Sequence, residues 1–102
     1  MNITHIQILS DAEADLEDGR AFYDHQEHGV GAYFWDCLIS DIESLVIYAG
    51  VHSKEYGYYR MHSRRFPYSI YYEVSELTAY VVAVLPMRRN PTWASGKMNT
   101  KR

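Results

Sequence analysis

The chain predicts an α+β fold in the order β-α-α-β-β-β: an antiparallel helical hairpin packed on one face of a largely antiparallel four-stranded sheet. Three features predict it. Two apolar stripes at helical spacing occupy the first half, and alternating, tyrosine-rich runs occupy the second. Thr78–Leu85 is apolar on both faces, as an interior strand should be. At 102 residues there is room for one core, so residues 1–93 read as a single domain and Ala94–Arg102 as a basic tail expected to fray.

Asn2–Leu9 reads as a short, isoleucine-rich strand. Ser10-Asp11-Ala12-Glu13 has the S-x-x-E form of a capping box, in which serine hydroxyl and glutamate carboxylate satisfy the amides of a helix start. Acids crowd that first turn, where the helix dipole favours them. Ala12, Leu16, Gly19 and Tyr23 then keep helical spacing to about His28, and Gly29-Val30-Gly31 breaks the run. A second helix is expected from about Ala32 to Ala49. Phe34, Leu38, Ile42, Leu45 and Ala49 form its stripe, and Gly50 stands where a left-handed C-terminal cap belongs. So short a link makes the two helices antiparallel.

Val51–Glu55 reads as a loop and Tyr56–His62 as a short strand. Pro67–Ser75 is a longer strand that alternates Tyr68, Ile70, Tyr72 and Val74 against Ser69, Tyr71 and Glu73, and Glu76-Leu77 is its hairpin tip. Pro86 ends the last strand. An interior Thr78–Leu85 places the N-terminal strand beside it and leaves Tyr56–His62 at the far edge.

Charge is strongly polarised. Residues 1–50 hold one basic residue, Arg20, and ten acids, whereas residues 51–102 hold nine basic residues and three acids. The halves carry −9 and +6 within a net −3, which points to two surfaces for different partners. Cys37 is the only cysteine, so no internal disulfide is expected and a reducing cytoplasm fits. No apolar run approaches the ~18–20 residues of a membrane span, and the N-terminus lacks a basic region followed by an apolar one. A soluble, unprocessed protein without membrane partners is the expectation. His25 and His28, with Asp24 and Glu27, lack the further fixed ligand that a metal site requires, so no metal or cofactor is expected.

The order of elements resembles the ParE/RelE superfamily, the plasmid-stabilisation toxins of type II toxin–antitoxin systems. The resemblance spans residues 3 to about 93. It lies in the acidic helix with Phe22-Tyr23 near its end, the Gly-x-Gly break, Phe34 in the second helix and Tyr59-Arg60. It continues through the Arg65-Phe66-Pro67-Tyr68-x-Ile70-x-Tyr72 strand and the Arg-Arg-x-Pro-x-x-Trp ending at Trp93. That strand and that ending look more like the ParE branch. The resemblance implies a toxin held inactive by a co-encoded antitoxin whose C-terminal segment wraps it, forming a hetero-oligomer. ParE-like members inhibit DNA gyrase without cutting anything. RelE-like members cleave messenger RNA in the ribosomal A site.

Cleavage through the 2′-hydroxyl needs a base, an acid and cations for the phosphate charge. The candidates are Arg60, His62 and Arg88, of which Arg60 matches an arginine of the RelE-like site. RelE-like nucleases have lysines before the second strand and a tyrosine near the C-terminus. This chain has Lys54 alone in that loop, and Trp93 with no tyrosine after the last strand. Ten acids also oppose docking to a phosphate surface. The preferred reading is therefore a ParE-like inhibitor that binds a protein. Its expected target- or antitoxin-binding residues are Arg60, Arg64, Arg65, Tyr71, Arg88, Arg89 and Trp93, the guanidinium groups pairing partner carboxylates. A RelE-like nuclease acting on ribosome-bound mRNA and a non-toxic binding module are the alternatives. Tyr68 and Tyr72, which alternate with Ile70, belong in the core; Tyr71 faces the other way.

Overall fold

The computed structural model describes residues 3–101. Its elements are β1 (His5–Ile8), α1 (Ser10–Gln26), α2 (Val30–Glu43), α3 (Leu45–Tyr48), β2 (Lys54–Glu55), β3 (Tyr58–His62), β4 (Tyr68–Ser75), β5 (Thr78–Pro86) and α4 (Pro91–Asn99). The sheet order is β1-β5-β4-β3-β2, with β1 parallel to β5 and every other pair antiparallel. The sheet thus has five strands where four were expected. β2 takes the far edge assigned to the Tyr56–His62 strand. No helix among the described residues is long and apolar enough to cross a membrane.

Two apolar layers sandwich the sheet. The first, under the helical hairpin, gathers Leu16 of α1, Phe34, Leu38 and Ile42 of α2, and Tyr68, Ile70, Tyr72, Val81 and Val84 of the sheet. The second lies on the opposite face: Tyr58, Tyr71, Val82, Ala83 and Leu85 pack with Met98 of α4. Alternation along β4 assigns Tyr68, Ile70 and Tyr72 to one layer and Tyr71 to the other, as expected. On β5 a bulge opposite Tyr71/Tyr72 turns the consecutive residues Val82 and Ala83 to the same face.

Several expectations need correction. Ser10 does not cap α1; it is the first helical residue, and the capping position falls to Leu9 without any side-chain cap bond. The strand runs straight into the helix: Leu9 N–H still bonds Val81 O at 3.0 Å while Leu9 O accepts from Glu13 N–H at 2.9 Å. Gly29 alone makes the hairpin break, at φ 93°, and Gly31 is already inside α2. A methyl group on Gly31 would stand 2.5 Å from Arg20 O and 2.8 Å from Asp24 Cβ, so its role is close helix contact. The expected single helix to Ala49 is interrupted at Ser44, whose hydroxyl bonds Asp41 O at 2.5 Å. Gly50 does take the left-handed cap, at φ 92°. The segment after Trp93, expected to fray, is helical to Asn99. Asn90 caps it by accepting from Trp93 N–H at 2.8 Å, Pro91 opens it, and Met98 is fully buried.

Two buried acids join layers. Asp15 of α1 accepts from Val84 N–H at 3.0 Å, on the part of the β5 edge that β1 has left uncovered. Asp41 of α2 accepts from Ser63 Oγ at 2.7 Å and from Arg64 N–H at 3.2 Å, pinning the β3–β4 loop.

The loop after α3 is held by Tyr72, whose hydroxyl accepts from Gly50 N–H at 3.0 Å and lies 2.5 Å from His52 Nδ1. Burial lowers the His52 pKa. A histidine whose folded pKa lies below its unfolded value of about 6.5 stabilises fully above that pH, and the contribution drains as pH falls past it. In denaturation measured at pH 7.5 and 5.5, the stability gap between wild type and His52→Gln should shrink at the lower pH. A gap independent of pH would exclude this coupling.

Candidate interaction site

The five candidate arginines, Arg60, Arg64, Arg65, Arg88 and Arg89, lie on or beside the sheet but not on one surface. Arg64 and Arg65 lie in the β3–β4 loop, and Arg88 and Arg89 follow β5, whose last residue pairs with Tyr68 at the start of β4. Met87 N–H to Pro67 O, 2.8 Å, ties the two loops together. From there the side chains diverge.

Arg60 and Arg89 meet on the second face, in a cavity of about 250 Å³ beside α4. Glu55, Tyr56, Ser69 and Tyr71 line it with Leu85, Pro86, Met87, Pro91 and Ala94. Arg60 Nε donates to Ser69 Oγ at 3.0 Å, and its Nη1 lies 3.2 Å from Glu55 Oε1. Tyr71 Oη donates to the same carboxylate oxygen at 3.0 Å. Burial, then that bond, pushes the Tyr71 hydroxyl up to about 12, so at neutral pH it is a fixed donor. Expected as an exposed contact, Tyr71 has its ring only 2% exposed, because α4 covers this face. Trp93 is next door. Arg89 lies over its ring at 4.8 Å and Lys97 at 5.7 Å, and all three line a cleft with Asp15, Asp18 and Gly19.

Arg88 lines the same cleft, but its guanidinium turns to the α1 side. It sits 3.8 Å from the Phe22 ring centroid on α1, and its Nη1 donates to Tyr68 Oη at 3.1 Å. Arg64 and Arg65 line a groove of about 400 Å³ with Tyr33, Asp36, Cys37, Ser40 and Asp41 on the α2 side. Arg65 Nη1 donates to Tyr33 Oη at 3.3 Å, and Phe66 anchors the loop among Tyr23, Tyr33 and Phe34. His62 joins Arg60 in a separate groove at the β2 edge, with Val51, His52, Ser53, Lys54 and Glu55. Tyr68 and Ser69 are neighbours on opposite faces of β4, so Arg88 on one and Arg60 on the other are kept apart by the sheet. The set Arg60, His62 and Arg88 is not assembled.

Of the five arginines, Arg60 alone makes an ion pair with a carboxylate among the described residues. The rest lie against rings, hydroxyls or solvent. No group of three or more His, Cys, Asp or Glu side chains among the described residues is arranged to hold a metal ion; Asp24 instead accepts from Gly29 N–H at 2.9 Å. Sequence reasoning passed over Glu55, Tyr56 and Ser69, which complete the Arg60 cavity. The one signal for Ser69 was its place beside Tyr71 on the polar side of an alternating strand.

The chain matches, over residues 6–91, the family model described as the ParE toxin of the type II toxin–antitoxin system parDE. That match ends where α4 begins. A solved structure described as the chromosomal ParDE TA system from P. aeruginosa superposes with a TM-score of 0.75 and 14% identity, covering 84% of this chain and 98% of that one. At that identity the likeness concerns the fold. No curated protein matches by sequence. With five-sixths of its length inside the family model and the fold in agreement, the chain belongs to the ParE toxin family of type II toxin–antitoxin systems.

Proposed function

We propose that the protein arrests growth by binding a protein target, DNA gyrase as the family resemblance implies, and that a cognate antitoxin neutralises it in the cytoplasm. The observation that carries this reading is the state of Arg64, Arg65, Arg88 and Arg89: none has a carboxylate ion pair among the described residues. Guanidinium groups held on rings and hydroxyls keep their fork for a partner's carboxylates. Antitoxin binding has separate support. Val46, Ile47, Tyr48 and Val51 are large, apolar and 49–68% exposed within six residues at the end of the hairpin, ground that an amphipathic partner segment would cover. The nuclease reading loses support because its three candidates do not converge.

Expressed alone, the chain should arrest growth. Arg88→Ala combined with Arg89→Ala should relieve the arrest while circular dichroism stays unchanged, since both side chains are exposed. A fully toxic double variant would reject the surface. Harmless wild-type expression would favour a non-toxic binding module instead.

A further inference from the structure

Glu55 is poorly placed for a purely structural role. It ends β2, a strand of two residues at the sheet edge, and precedes a turn in which Tyr56 takes φ 59° and Gly57 φ 85°. Two positive φ values in a two-residue hairpin loop favour Asn-Gly; tyrosine at the first is strained. The Tyr56 ring, however, lies tilted against Tyr71 at 5.9 Å and walls the cavity that holds Arg60. The strained turn thereby holds Glu55 against Arg60. The ion pair itself is loose: the side chains are 30% and 41% exposed, the contact is 3.2 Å, and Tyr71 supplies the hydrogen bond to that oxygen. Partly exposed pairs of this kind stabilise little. Arg60 is aimed independently of Glu55, because Ser69 holds its Nε.

We propose that Glu55 is a built-in competitor: it occupies Arg60 until an acidic residue of a partner protein enters the cavity and takes its place. The cavity fits that occupant. Beyond Arg60 it offers Arg89 as a second cation, the Tyr56 and Tyr71 rings, and an apolar floor from Leu85 and Pro86. It therefore receives a carboxylate that adjoins a large apolar or aromatic side chain. This deepens the protein-binding reading above and rests on it for the partner's identity.

The test uses the full chain and the peptide N-acetyl-Phe-Asp-amide as probe, followed by NMR at the backbone amides of Ser69 and Tyr71, which line the cavity in every variant. Wild type should bind weakly, Glu55→Gln roughly fivefold tighter, the factor a partly exposed ion pair commands, and Arg60→Ala not at all. Glutamine preserves an acceptor for Tyr71, so the fold should hold; Glu55→Ala is the second variant and should also bind more tightly. Glu73→Gln makes the same charge change outside this cavity and should leave affinity unchanged. The proposal is overturned if Glu55→Gln and wild type bind alike, if Glu73→Gln matches Glu55→Gln, if Arg60→Ala still binds, or if no form binds. Sulfate in place of the peptide separates a general anion site from this one: equal gain with sulfate would also overturn it. Loss of growth arrest by wild type would sink the toxin reading without touching these comparisons.

Discussion

Phe34→Ala is expected to remove about 3–5 kcal/mol of stability, a large share of the ~5–15 kcal/mol available to a domain. Phe34 is fully buried, and its ring is 5.1 Å from Tyr23, 5.1 Å from Phe66 and 4.9 Å from Tyr68 by centroid. It therefore joins both long helices to β4 and to the loop that carries Arg64 and Arg65. Gly19 is the other half of this contact. A methyl group there would stand 2.4 Å from Phe34 Cζ, and the enclosed ring has no direction in which to yield. Gly19→Ala should cost about 1–3 kcal/mol from overpacking, offset by roughly 1 kcal/mol of helix propensity. Urea denaturation checks both. A Phe34→Ala loss below about 1 kcal/mol would show that the ring cluster does not hold the layers together.

Asp15→Ala is expected to cost about 1–3 kcal/mol, because it leaves Val84 N–H buried without an acceptor. Asp15→Asn keeps the acceptor and removes the charge, so it should match or exceed wild type at neutral pH. Burial raises the Asp15 pKa, against the lowering effect of the Val84 bond and then of Lys97 and Lys101. For an acid held above its unfolded value of 3.8, the folded state keeps the proton longer. Its contribution to stability is full below the unfolded value and declines as pH rises through the raised one. Wild type should accordingly gain on Asp15→Asn as pH is lowered from 7 towards 4. An Asp15→Ala variant as stable as Asp15→Asn would remove the hydrogen bond from the explanation.

What the sequence made legible follows from how strongly each residue is constrained by burial. Thr78–Leu85 had to be interior because both its faces are apolar, and it does lie between β1 and β4. Gly50 had to cap a helix. The failures were local. β2 has two residues, too few for any period to show, and its hairpin carries Tyr56 where turn residues are expected. α4 is short and mostly polar, held by Met98 from the far side of the sheet, yet Asn90-Pro91 was a readable helix start. Asp15 and Asp41 each fall on the buried stripe of their helix, Asp15 between Ala12 and Leu16 and Asp41 beside Ile42, and the donors that satisfy them come from distant segments of the chain. At the site, Arg64 and Arg65 precede β4, and Arg88 and Arg89 follow β5, so that their loops adjoin at one end of the sheet. Their division between its faces depends on strand alternation and on which loop leans where, and arginine spacing along the chain contains neither.

Inhibition of gyrase supercoiling by the purified chain tests the central claim most directly, with translating ribosomes assayed in parallel. The account predicts inhibition that Arg88→Ala with Arg89→Ala weakens, and intact mRNA on the ribosomes. Undisturbed supercoiling together with mRNA cut in the A site would contradict it.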